Sequence, residues 1–370
     1  MRPPPEPPRQ PRGTGRPAFS VRPVRSPVTS ADDLPDAVAP RRLGRRLLQV
    51  VALLVVLVLV AVLAPGLGDV RDLLARARPG WLALAVGFEV LSCISYVLMF
   101  RPIFCRAMSW RTSWEIGWSE LGVGSLVPAS GAGGLALGAW ILSRGGMPAE
   151  KIARRSVAFF LIKSSVNFVA VAVVGTAMAV GLLGPHRSML LTVLPAALSV
   201  VVLAAVLAVP RLGPGRTPAD TASRTGRATA AVRRALVTGT GEAVAILRSR
   251  DPLVIVGAVG YWAWDNAVLW ATYHAVGATV PIGVVLMGYL IGQLGGLLPL
   301  PGGVGGIDGG LIGTLIVYGA PPAATVAAVL AYRLILFWVP LLGGIVAFTA
   351  LRRALDQSER ADLCSPARAV

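Results

Sequence analysis

Ser188 to Pro210 is a run of 23 residues without a charged side chain, and Leu47 to Gly68 is another of 22. At about 1.5 Å of rise per helical residue, either run reaches across the roughly 30 Å of a bilayer's hydrocarbon core. Pro252 to Ile307 admits a single charge, Asp265, and Gly309 to Leu351 admits only Arg333. A buried helix of a soluble domain rarely stays charge-free so long, and hardly ever several times in one chain. The composition agrees: 55% of residues are apolar and 14% charged, against about 45–50% and about 25% in soluble domains. The expected fold is an all-α polytopic integral membrane protein.

The positive charges order the spans. Net charge is +17, but the Arg and Lys residues fall between hydrophobic runs, where the positive-inside rule places them. A nucleic-acid partner is therefore not expected. Residues 1–44 are rich in Pro and Arg and read as a disordered cytoplasmic arm. The apolar run after it is far longer than the core of a secretory signal, so it reads as a first span, 47–67. A membrane domain is expected over 45–353, with a cytoplasmic tail over 354–370. Full spans are expected at 47–67, 80–100, 156–184, 188–210, 252–277 and 322–351. Arg101, Arg106 and Arg111 then lie inside, as do Arg144, Lys151, Arg154 and Arg155. The segment 211–251 carries eight Arg and is assigned to the same side, with an amphipathic surface helix over about 225–248. Both termini are placed in the cytoplasm and the protein in the cytoplasmic membrane.

Two segments are broken. Residues 112–143 hold two stretches too short to cross fully, separated by Pro128-Ala129-Ser130-Gly131-Ala132-Gly133-Gly134. Residues 279–318 are interrupted by Pro299-Leu300-Pro301-Gly302-Gly303-Val304-Gly305-Gly306. Re-entrant hairpins are expected, since such breaks survive at membrane depth only against protein or a watery cavity. The second segment is also long enough for two full crossings, and either arrangement keeps the same parity. The two Pro/Gly motifs lie about 171 residues apart. Each is followed by a Gly turn and a Pro, Gly146-Met147-Pro148 and Gly319-Ala320-Pro321, and then by a long apolar helix. By charge, one hairpin enters from the cytoplasm and the other from outside, which makes an inverted repeat. Paired broken segments of this kind point to a binding site near the midplane, so Pro128, Gly131, Gly133, Gly134, Gly302, Gly303, Gly305 and Gly306 are candidates for it. The competing role for these residues is close helix packing.

Ionisable groups inside spans cost about 2.5–3.5 kcal/mol on insertion scales, so each calls for a reason. Arg333 lies mid-span. Asp308 follows the second Gly-rich break, where a helix N-terminus would favour a carboxylate. The two are expected to pair, as a headgroup site or as a structural ion pair. Asp265, Lys163 and Glu120 are candidates for coupling or gating, although Lys163 could also snorkel to the cytoplasmic face. Glu115 is placed at the cytoplasmic mouth in solvent, and Glu89 reads as a packed intramembrane acid. Cys93, Cys105 and Cys364 lack any metal-like or redox spacing and read as structural thiols. No phosphate-binding loop, HExxH or nucleophile elbow occurs, so neither enzyme chemistry nor a cofactor is expected.

The stretch Leu298 to Asp308, with Gly319 and Ala331-Tyr332-Arg333, resembles the lysylphosphatidylglycerol synthase transmembrane-region family, also called flippase-like; Val127-Pro128 to Gly146 matches more weakly. The resemblance covers roughly 45–350. It implies a role in moving lipids between leaflets, with Asp308 standing where the family usually has Glu and Arg333 at its motif Arg. The first half departs from the pattern at Leu135 to Leu142 and at Ile162-Lys163-Ser164, so an aminoacylated lipid does not follow. About 19 residues follow Leu351, too few for the soluble transferase domain of larger relatives. The expected function is translocation of a phospholipid or a polyprenyl-phosphate-linked headgroup. The alternatives are a scaffold for envelope-biosynthesis enzymes such as a glycosyltransferase, docking through 211–251, and a small-solute secondary transporter.

Overall fold

A computed structural model describes residues 68–126, 132–183, 188–213, 224–293 and 306–357, with a few helical residues between 44 and 55. Most of the expected first span lies outside the described residues, as do Pro128, Gly131, Gly302, Gly303 and Gly305. The described chain is helical throughout: α1 Gly68–Ala75, α2 Pro79–Phe104, α3 Trp110–Leu126, α4 Ala132–Arg144, α5 Ala149–Ala179, α6 Met189–Ala208, α7 Arg224–Arg248, α8 Pro252–Ala275, α9 Ile282–Gly292, α10 Gly306–Val317 and α11 Pro322–Gln357. Five of these, α2, α5, α6, α8 and α11, are long and apolar enough to cross a membrane. On α6 the side chains of Leu194, Leu198 and Val201 stay exposed, as expected of a helix whose outer face meets lipid rather than water.

The remaining apolar helices are short. Helices α9 and α10 have 11 and 12 residues, about 17–18 Å at ~1.5 Å per residue, well below a full crossing. They pack on each other, as do α3 and α4. Each hairpin ends in the same turn. Gly146 and Gly319 adopt φ of 85° and 89°, a left-handed conformation that costs glycine nothing. The Gly146 amide donates to Ser143 O at 3.1 Å and Met147 N to Leu142 O at 3.0 Å. At the second turn Gly319 N donates to Ile316 O at 2.8 Å and Ala320 N to Leu315 O at 2.9 Å. These are paired Schellman closures that satisfy the last carbonyls of α4 and α10. Pro148 and Pro321 then lead into α5 and α11, since a proline cannot continue the preceding helix.

The spacing of these elements is regular. Pro79 and Pro252 open α2 and α8, and they stand 173 residues apart, as do Gly146 and Gly319. The starts of α2 and α8 and of α5 and α11 repeat at 173 rather than the 171 of the Pro/Gly motifs, because the two stretches from motif to Gly turn differ in length by two residues. Helices α2 and α8 run antiparallel in close contact. Arg78 N donates to Ala275 O at 2.8 Å at one end. Phe88 stacks on Trp264 with centroids 5.6 Å apart. Ser92 Oγ donates to Tyr261 O at 3.2 Å further along.

The basic segments assigned to one side of the membrane meet at one end of the bundle. Arg106 pairs with Asp251. Arg155 donates to Ile103 O at 2.6 Å. Glu242 of α7 pairs with Arg154 at 3.2 Å and Arg155 at 2.8 Å. The expected surface helix is α7, which lies on α5 with Val237, Thr240 and Ala243 buried and Val232 and Leu236 exposed. One thiol expectation fails: Cys105 is disulfide-bonded, a pairing that sequence spacing does not show. Cys93 is free and buried.

Candidate functional site

The expected Asp308–Arg333 pair forms. Asp308 occupies the first turn of α10 and is 2% exposed. Arg333 projects from α11, with Nε 2.5 Å from Asp308 Oδ1. A carboxylate is favoured there because the first amides of a helix leave partial positive charge at its N-terminus. Gly306 opens the same helix and is buried beside it.

Asp265 lies at the centre of a second set of contacts. Buried on α8, it accepts hydrogen bonds from Tyr289 of α9 and from Tyr332 of α11, the latter at 3.1 Å. One carboxylate therefore ties α8 to the second hairpin and to the helix bearing Arg333. Charge on Lys163 and on Arg333 both act on it. Burying a carboxylate is costly unless donors and opposite charge surround it, and here both do.

The first hairpin has its own carboxylate. Glu120 of α3, 2% exposed, accepts a hydrogen bond from Tyr96 of α2 at 2.7 Å. It rests on α4, where a Cβ added to Gly138 would stand 1.4 Å from Glu120 Oε1, and one on Gly134 would stand 2.3 Å from the Glu120 carbonyl oxygen. Gly134 thus serves helix approach within the hairpin, while Gly133 lies beside it in the first turn of α4. Lys163 of α5 does not snorkel. Its Nζ lies 5.9 Å from the Tyr96 ring and 5.3 Å from the Tyr261 ring, a cation–π arrangement, with Glu120 and Asp265 as electrostatic partners.

Lys163, Glu120, Asp265, Asp308 and Arg333 thus join one chain of buried charge and phenol groups. Sequence reasoning missed Tyr96, Tyr261 and Tyr289, and met Tyr332 only as a neighbour of Arg333, because a tyrosine in an apolar run carries no signal of its own. It also undervalued Glu89, which is 5% exposed and lies close enough to Asp265 for their charges to interact. Glu115 is corrected: it is buried on α3 and takes an ion pair from Arg111 at 3.0 Å, since α3 packs inward there. His274 fills a ring cluster with Trp81 and Trp270, and His186 lies outside the described residues. Among the described residues, no group of three or more His, Cys, Asp or Glu is placed to hold a metal ion.

The class these features define is a multi-pass α-helical membrane protein with buried charge gathered between two helical hairpins and the long helices that follow them. Residues 49–344 match the family described as the lysylphosphatidylglycerol synthase TM region. The chain belongs to that family. A comparison with curated proteins finds no match.

Proposed function

We propose that the protein translocates a phospholipid or a lipid-linked headgroup across the cytoplasmic membrane. The observation that carries this reading is the Arg333–Asp308 pair, held inside the membrane domain where α10 and α11 meet. A charged headgroup cannot enter hydrocarbon unaided. A guanidinium offers a phosphate two parallel N–H donors, and no covalent chemistry is then needed. Family membership supports lipid handling.

The architecture favours alternating access. Helices α2 and α8, 173 residues apart in sequence, run antiparallel, which is what an inverted repeat requires of equivalent elements. The hairpins α3–α4 and α9–α10 would then be re-entrant arms from opposite faces, with the headgroup passing between them near the midplane. The cluster of Arg106, Arg154 and Arg155 with α7 supports reading that end of the bundle as cytoplasmic.

The deciding experiment is mass spectrometry of lipids that co-purify with wild type and with Arg333→Ala. Enrichment of one phospholipid or polyprenyl-phosphate class in wild type, lost in the variant, is the expected result. Bulk membrane lipid in both samples would refute the headgroup site and leave a docking role for α7 as the better reading.

A further inference from the structure

The translocation site described above makes no use of Glu89. Its side chain is 5% exposed and its Oε2 has no hydrogen-bond partner within reach. The other oxygen has only the Cys93 thiol, at 3.7 Å. An ionised carboxylate in this position would forfeit its hydration with almost nothing in return. Its position is also fixed: Phe88 stacks on Trp264 on one side and Ser92 bonds to Tyr261 O on the other, so Glu89 stands at the level where α2 crosses α8. The titratable groups that act on it or respond to it are Cys93 of its own helix, Tyr261 and Asp265 of α8, Tyr289 of α9 and Tyr332 of α11. All are neutral phenols or thiols except Asp265. The two cations nearby, Lys163 and Arg333, act on Asp265.

We infer that Glu89 and Asp265 form a carboxyl pair that holds one exchangeable proton at the crossing of α2 and α8. Glu89 and Asp265 each adjoin one member of the stacked Phe88–Trp264 pair, and two acids whose charges act on each other in an apolar medium do not both ionise readily. Asp265 has two phenol donors and two cations to support its charge, so the proton resides on Glu89 and neutralises the oxygen that lacks a donor. The pair joins the two halves of the molecule at the helices that match in sequence spacing. Under the lipid-translocation reading, on which this last step rests, the proton is the ion whose movement drives the cycle.

The test treats the full chain in lipid nanodiscs with dicyclohexylcarbodiimide, which attacks protonated carboxyls in apolar surroundings, and maps the product by peptide mass spectrometry. Glu89 is expected to be modified, less so as pH rises, with sodium having no effect. Asp265→Asn should reduce the modification at neutral pH. Glu89→Gln, isosteric with the protonated acid, should fold normally and take no label at this position. A readout that does not depend on reagent access is the infrared carboxylic-acid carbonyl band, expected in wild type and missing from Glu89→Gln. Protection by sodium at fixed pH would overturn the inference in favour of a sodium site, and absence of the infrared band would overturn it outright. Neither measurement requires translocation, so a protonated Glu89 in a protein that moves no lipid would leave this inference standing and remove the transport reading.

Discussion

Tyr96 donates its phenolic hydrogen to Glu120 at 2.7 Å, and this bond is the buried polar link between helix α2 and the first hairpin. Tyr96→Phe removes the donor and leaves the carboxylate in place. Loss of one partner of a buried pair costs about 1–3 kcal/mol, so the thermal midpoint of the purified protein in detergent should fall measurably. Tyr261→Phe, whose hydroxyl has no such carboxylate bond, is the control and should fall less.

The Glu120 carboxyl fills the space that a side chain at Gly138 would need. Because a Cβ at 138 would stand 1.4 Å from Glu120 Oε1, Gly138→Ala alone should destabilise by about 1–3 kcal/mol through overpacking. Combined with Glu120→Ala, which removes the clashing atoms, it should cost much less than the sum of the two single changes. A double-mutant cycle on thermal stability measures that coupling, and additive costs would contradict the contact.

Removing either half of the Arg333–Asp308 pair strands a buried charge. Arg333→Ala or Asp308→Ala should each cost about 3–5 kcal/mol, and the double substitution should recover part of it. Lipid retention should not recover with stability. If the double variant regains both, the pair is structural and the headgroup reading fails.

Helix α7 docks on α5 partly through Gly239, where a Cβ would stand 2.4 Å from Val157 Cγ1. Gly239→Val should loosen α7 and raise amide exchange across 224–248 in hydrogen-exchange mass spectrometry. Glu242→Ala should do far less. Its pairs with Arg154 and Arg155 are partly exposed, and such pairs contribute only up to about 1 kcal/mol.

Much of this was legible in the chain. The long, nearly charge-free runs announce the five long apolar helices among the described residues, because about 20 apolar residues in a row are what hydrocarbon demands. The Gly-x-Pro turns at Gly146 and Gly319 announce where each hairpin ends, since that closure requires a residue tolerant of positive φ. The spacing of basic segments foretold which loops meet, as Arg106–Asp251 and Arg155–Ile103 bear out. Asp308 and Arg333 were recognisable as a pair because each alone is too costly at that depth.

The rest depended on which helix faces which. Nothing in the sequence places Glu89 opposite Asp265, since 176 residues separate them and the apolar pattern on α2 is nearly uniform around its circumference. A helix bathed in lipid needs no polar face to reveal its orientation, so periodicity is silent about the buried side. Only the antiparallel crossing of α2 and α8 brings the two acids together. Only the packing of α5 against it sets Lys163 over Tyr96 and Tyr261 rather than at the membrane surface. The sequence by itself determined a helical membrane protein with charges inside it; the tertiary structure decided which charges meet, because in a bilayer partners are chosen by helix packing and not by hydrophobic sorting.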